Sequence, residues 1–264
     1  NQNLDNLPIG LYGDFYSHHL SFFLLPKNDL KNLKLTLNSC DVNVERIIFK
    51  TFAENLEKIK LKSSIKLSVL IKIGYNKSYI SIFKNLSYIY SESFNFGSNI
   101  IMKDIVKLCS LDFNNVQNIF NDICFDSIIN SNDQENYLSQ NYFKNESFRK
   151  ISKQHLHEII IARVEEIINL VYKKNINLQF IRKKNKYIEI NFQDKNIYKN
   201  LKLTFTKIFP INDIVETTES TQDKCLESCL SSAELIGKGW EKEALPIIQA
   251  KKSVISKIFS ALFD

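Results

Sequence analysis

The sequence predicts an α/β fold, long enough at 264 residues for a full core and for two lobes. Three observations lead there. Residues 66–91 hold three short runs of β-forming residues separated by turns, and after Gly97 the apolar period changes to that of a helix. Residues 152–174 carry an uninterrupted helical stripe. Strand-like runs at 178–181 and 186–192 then give way to further amphipathic helices, so strands and helices alternate along the chain.

Residues 1–60 read as a small α/β unit. Leu11 to Leu25 is strand-like and breaks at Pro26-Lys27-Asn28. Asp29 to Ser39 sets Leu30, Leu33 and Leu37 at helical spacing; Asn43 to Lys50 reads as a second strand and Thr51 to Ile59 as a second helix. Nothing in this unit is catalytic on its face, and Asp14 and Glu45 read as surface residues.

The middle of the chain opens with the apolar run Leu67 to Ile73, closed by a turn at Gly74-Tyr75-Asn76. Ser78 to Phe83 and Tyr88 to Ser91 follow as strands. Ile101, Ile105 and Leu108 then mark a helix with Lys103, Asp104 and Lys107 on its other side. Asn114 to Ile129 reads as one helix, with Val116, Ile119, Phe120 and Ile123 on one side. Residues 130–146 turn polar and read as an exposed loop. Ser152 opens the strongest helix, whose stripe is Leu156, Ile160, Val164, Ile167 and Val171. Glu158, Arg163, Glu165 and Glu166 fall outside that stripe, as a solvated face with local ion pairs rather than as acid/base groups. Tyr198 to Phe209 is amphipathic and is stopped by Pro210; Asp223 to Lys238 is a further helix holding Leu226, Leu230, Ala233 and Ile236.

Composition narrows the functions open to such a chain. The apolar fraction of 44% and charged fraction of 24% are those of a globular protein. The net charge of +6 is spread out, and its densest cluster, Arg182-Lys183-Lys184 with Lys186, reads as a solvated hairpin turn. A nucleic-acid surface would need a larger basic block with interleaved aromatics, so no nucleic-acid partner is expected. Five cysteines without a CxxC pair fit a reduced cytosolic protein with buried thiols. His18-His19 and His155/His157 lack partners at ligand spacing, and no metal is expected. No run of about 18 apolar residues is present to span a bilayer.

The last residues stand apart. At about 100° per residue, Val254, Ile255, Ile258, Phe259, Leu262 and Phe263 cover one half of a helix, with Lys251 and Lys252 leading in and Lys257 on the other half. Such a composition suits an interfacial membrane helix. Each apolar side chain contributes up to about 1.5–3 kcal/mol when fully buried, and each lysine about 1 kcal/mol near anionic lipid. A terminal helix packed on its own body has the same pattern. The spacer after Pro246 and the terminal position favour an anionic membrane surface as the partner of Lys251, Lys252, Val254, Ile255, Lys257, Ile258, Phe259, Leu262 and Phe263.

Several segments, in order, resemble the FtsA family of actin-like bacterial division proteins. Pro8-Ile9-Gly10-Leu11-Tyr12-Gly13 is similar to the family's P-x-G-L-Y-G at the start of its inserted subdomain. Residues 32–53 are similar to its helix–strand passage, and residues 96–105 (FGSNIIMKDI) to its G-G-x-x-I-T-x-D-I-A. His157 to Ile167 (HEIIIARVEEI) is similar to E-I-I-x-A-R-x-E-E-I, the most specific of the set. The resemblance implies an actin-like, ribonuclease-H-like two-lobed fold: an inserted small α/β subdomain at 1–60, actin-like lobes at 61–248, and a membrane-targeting amphipathic helix at 249–264. It implies a scaffold on the cytoplasmic face of the inner membrane at the division site. That scaffold polymerises with itself and holds the tail of the ring protein FtsZ near Asn191 to Pro210 and the helix after Ser152.

Departures from the family bear on mechanism. Actin-like ATPases hold phosphates with backbone N–H groups of glycine-rich turns, since only glycine allows that approach. The first such loop would lie before Asn1, which implies a missing N-terminal segment. The second, D-I-G-G-G-T-T-D in the family, stands here as residues 72–79 (KIGYNKSY), with Lys72 in place of the acid and two of three glycines gone. Its remnants are Gly74, Asn76 and Ser78, joined by Gly97 and Ser98 of the next loop. The adenosine loop, T-G-G-G-A in the family, stands as Asn191-Phe192-Gln193-Asp194-Lys195 without a glycine, and Tyr75 and Phe192 add bulk where a ligand needs backbone. Lys72 reads as a strand-end lysine reaching solvent. The chain is therefore expected to have no catalytic residue and no certain cofactor, to bind ATP weakly or not at all, and not to hydrolyse it. A PilM-type pilus-assembly module shares the architecture but usually keeps the nucleotide loops and lacks such a tail. A sugar-kinase-like enzyme would need the missing acid and glycines.

Overall fold

The computed structural model describes residues 24–44, 47–53, 67–84, 87–128, 137–143, 146–181, 186–210, 213–220 and 222–234. The tail at 249–264, with every residue assigned to the membrane, lies outside these residues, as do Leu11 to Phe23 and the cluster Arg182-Lys183-Lys184.

Five strands form one sheet: β1 (Leu67–Ile73), β2 (Ser78–Lys84), β3 (Ser87–Phe94), β4 (Tyr187–Phe192) and β5 (Ile214–Glu219), in the order β3-β2-β1-β4-β5. The first three form an antiparallel meander, while β4 and β5 run parallel to β1. All of β4 and nearly all of β1 is buried, as befits strands covered on both faces. One face carries Val69, Ile71, Ile73, Ile80, Ile82, Ile188, Ile190 and Phe192, which enter the main core. The other carries Ser68, Leu70, Lys72, Phe83, Ser81, Glu189 and Asn191, and is mixed: Phe83 packs with Phe52 and Ala53 in a second apolar cluster, while Asn191 donates to Thr218, Thr218 to Glu189, Tyr187 to Glu216 and Ser81 to Ser91. Burial, and then the Glu216 carboxylate, push the Tyr187 hydroxyl well above the usual tyrosine range.

The sheet is accompanied by α1 (Lys27–Asn38), α2 (Asn99–Cys109), α3 (Phe113–Asp122), α4 (Phe125–Ile128), α5 (Lys153–Ile168), α6 (Lys195–Lys207) and α7 (Gln222–Glu234), with a further helical turn at 50–53, the described part of the helix expected from Thr51. Ser152 caps α5 by accepting from the His155 N–H, and Asp112 caps α3 through Asn114. Arg163 of α5 ties to Asp104 of α2 and, at 2.5 Å, to Glu166. The face outside the stripe thus does hold ion pairs, one of them joining two helices.

Several expectations are corrected. Residues 178–181 belong to a 3-10 helix (Ile176–Ile181), since that apolar run has no strand to pair with. The described part of Asn43 to Lys50 is irregular rather than a strand. The single helix at 114–129 is two, because Ile123 turns extended after α3. The polar stretch 130–146 is not simply exposed: Leu138 and Phe143 reach the core. Lys186 is not on a solvated turn but buried against Asp213, N···O 3.3 Å, with side-chain exposures of 3% and 4%. Among the cysteines whose burial is described, Cys109 is buried, Cys124 half-buried, and Cys40 and Cys229 exposed.

Candidate functional site

The C-terminal ends of the parallel strands β1 and β4 lie side by side, which is where open α/β sheets place ligands. Beyond β1 the chain turns at Gly74–Lys77 into β2, closed by Gly74 N–H to the Lys77 carbonyl, 2.9 Å. The loop after β3 lies directly on this turn. Ser98 N–H donates to the Gly74 carbonyl at 2.8 Å, Asn99 N–H to the Tyr75 carbonyl at 3.1 Å, and the Asn99 amide to Asn76 Oδ1 at 2.6 Å. From β4, Gln193 N–H donates to the Ile73 carbonyl at 3.0 Å. The predicted residues Gly74, Asn76, Ser78, Gly97 and Ser98 are thus gathered in one place.

Glycine is required there for close packing. A Cβ on Gly97 would lie 2.5 Å from the Tyr75 carbonyl oxygen and closer still to that of Gly74. A Cβ on Gly74 would lie 2.6 Å from Gln193 Oε1 and from the Lys77 carbonyl oxygen. The start of a helix ordinarily offers its first N–H groups to an anion. At α2 those of Ser98 and Asn99 are directed instead at carbonyl oxygens of the β1–β2 turn. The Ser78 and Ser98 hydroxyls are buried there without a hydrogen bond.

Beside the turn lies a cleft of about 260 Å³, between Tyr75, Met102 of α2, Gln117, Asn118, Phe120 and Asn121 of α3, and Asp194, Asn196 and Ile197 where α6 begins. That is smaller than the roughly 300 Å³ at which ligand pockets ordinarily start. Asp194 Oδ1 accepts from the N–H groups of Asn196 (2.9 Å) and Ile197 (3.3 Å), so the first amides of α6 are also engaged. Asn196 donates to Asn121 at 2.7 Å. Among the described residues the lining holds one carboxylate, four amide side chains and no lysine or arginine. Its charge disfavours a polyphosphate.

Tyr75 projects at the cleft as expected. Phe192 does not: it is fully buried, edge-on to Phe205 and tilted against Tyr198, so it fills the core rather than the site. Lys72 is the last residue but one of β1 and the one position of that strand that is partly exposed, in register with Tyr79 and Asn191. Sequence reasoning missed Asp194 as a helix cap and the amides of α3, although the N-cap signature Asp194 before a helical run was readable. Among the described residues no group of three or more His, Cys, Asp or Glu side chains could hold a metal.

No protein-family model matches the sequence, and no curated protein matches it. Among solved structures, the chain is similar to MreB5 of Spiroplasma citri bound to ADP, at 14% identity over 81% of this chain and 69% of that one, with a TM-score of 0.55. It is similar to an MreB5 structure bound to AMPPNP at 12% identity, covering 90% of this chain and 68% of that one, TM-score 0.52. The ethanolamine utilization protein EutJ from Carboxydothermus hydrogenoformans aligns at 9% identity over 78% of this chain, TM-score 0.45, and this chain spans only 61% of it. The likeness to the MreB5 structures shows that the fold is actin-like.

Proposed function

We propose that the chain is a non-hydrolysing, actin-like scaffold of the bacterial division kind. It associates with copies of itself, holds FtsZ, and rests on the cytoplasmic face of the inner membrane through residues 249–264. One observation carries this reading: the backbone N–H groups of Ser98 and Asn99 are spent on the Gly74 and Tyr75 carbonyls. In the solved structures MreB5 is bound to ADP or AMPPNP. Here the turn after β1 and the loop after β3 pack on each other, beside a cleft whose described lining holds no cation. A scaffold needs this rigid body and its surfaces, not turnover.

Two measurements test the reading. Calorimetry with Mg-ATP should give no saturable heat at micromolar ligand; saturable micromolar binding overturns the closed-site argument. Co-sedimentation with anionic liposomes, with and without FtsZ, should pellet the whole chain and bring FtsZ down with it, while a chain ending at Gln249 stays in solution. Added salt should weaken pelleting, because lysines carry part of it. If neither chain pellets, membrane tethering is wrong; if FtsZ stays behind, the division role is wrong.

A further inference from the structure

Two helices of this chain present apolar stripes that no described element covers. α1 has no buried residue. At about 100° per residue, Leu30, Leu33 and Leu37 share one narrow face, and Lys27, Lys31 and Lys34 form a row along one edge of it. Leu33 is 49% exposed, and Leu30 and Leu37 are half-buried. An isolated helix this short is marginal in water, so such a stripe calls for a cover.

α7 inverts the usual amphipathic arrangement. It buries Ser228 and Ser231, while Leu226 and Leu230 are each 62% exposed. Cys229 and Ala233 are exposed on the same side, completing an outward stripe at i, i+3, i+4 and i+7. The inward face tolerates serine because hydroxyls bond within the helix: Ser231 Oγ to the Glu227 carbonyl at 2.8 Å, and Ser232 Oγ to that of Ser228 at 2.7 Å. Glu227 is exposed along one edge of the leucine stripe.

We propose that α1 of one copy lies along α7 of a second copy, leucine stripe on leucine stripe and the lysine row against Glu227. This rests on the self-association reading above and names the surfaces that would serve it. α1 precedes Phe49 and Phe52, which pack on Phe83 and Tyr88 of β2 and β3, whereas α7 follows β5, the strand at the other edge. α1 and α7 are different surfaces of the chain, so the contact is heterologous: each copy offers one helix forward and the other back.

Sedimentation velocity of the full chain, over a range of concentration and salt, tests this. The wild type should form concentration-dependent oligomers that salt weakens. L226E/L230E, at exposed positions, should weaken association about tenfold or more, as should K31E/K34E, with circular dichroism unchanged. The chain carrying K31E/K34E together with E227K should regain part of that association, a rescue that loss of folding cannot produce. Assembly indifferent to L226E/L230E leaves self-association standing and overturns the α1–α7 contact. A wild type that stays monomeric overturns both. Association lost on ending the chain at Gln249 but unaffected by K31E/K34E identifies residues 250–264 as the cover of α7 and also overturns the proposal.

Discussion

Gly97→Ala is the most direct probe of the closed phosphate turn. The added methyl would meet the carbonyl oxygens of Gly74 and Tyr75, both backbone atoms that cannot rotate away. The loops must part, and with them the hydrogen bonds Ser98 N–H to Gly74 and Asn99 N–H to Tyr75. Each such bond is worth about 1 kcal/mol net. Overpacking adds about 1–3 kcal/mol, so the loss should be about 3–5 kcal/mol. For a chain of this size that lowers Tm by roughly 10 °C. Urea titration should show a lower midpoint with an unchanged m-value. Gly74→Ala should cost less, because one of its two close neighbours is the movable Gln193 side chain. Asn95→Ala, at an exposed position in the same loop, should stay within about 0.5 kcal/mol. A Gly97→Ala chain as stable as the wild type would mean that the two loops are not in contact, and the argument for a closed site would fall with them.

Three further outcomes are expected. Lys186→Met leaves the Asp213 carboxylate buried without its cation and should cost about 3–5 kcal/mol, whereas K186M/D213L together should be close to neutral, both read by chemical denaturation. Arg163→Lys keeps the charge but loses the fork that joins Asp104 of α2 to α5; a loss of about 1 kcal/mol is expected, the pair being partly exposed. The His157 imidazole is buried, with its Nε2 unpaired, and burial holds its pKa below the ordinary value of 6.5; Asp126 and Glu158 oppose that shift, and Lys207 adds to it. The unfolded chain therefore binds the proton more readily, and stability from this group is present above pH 6.5 and falls as the pH drops toward the folded pKa. His157→Gln should flatten that acid limb of the denaturation midpoint; an unchanged limb would show that other groups set it.

What the sequence made legible follows from where the physics is local. β1, β2 and β3 carry their own β-formers and turns, and α2 and α5 carry complete stripes with a readable cap at Ser152, so period and capping sufficed. β5 was invisible because IVETTE has one apolar residue facing the core, Val215; what makes it a strand is β4 beside it and a ladder of polar partners, Glu216, Thr218 and their bonds to Tyr187, Glu189 and Asn191. Residues 178–181 failed in the opposite sense, apolar enough for a strand but with no neighbour to pair. Lys186 and Phe192 were misplaced because one position decides each: a buried Asp213 across the chain, and a β4 register that turns Phe192 to the core.

The site divides along the same line. The departures from the glycine-rich pattern could be read residue by residue, but not how the two loops pack on each other. The helix dipole of α2 still needs negative partners at its N-terminus whether or not a nucleotide is bound. Here the carbonyls of Gly74 and Tyr75 supply them, and Gly97 survives because the turn that supplies them must come within contact of its backbone. A glycine kept for phosphate would face open space on one side. This one faces two carbonyl oxygens, and that is why its replacement by alanine should cost stability rather than affinity.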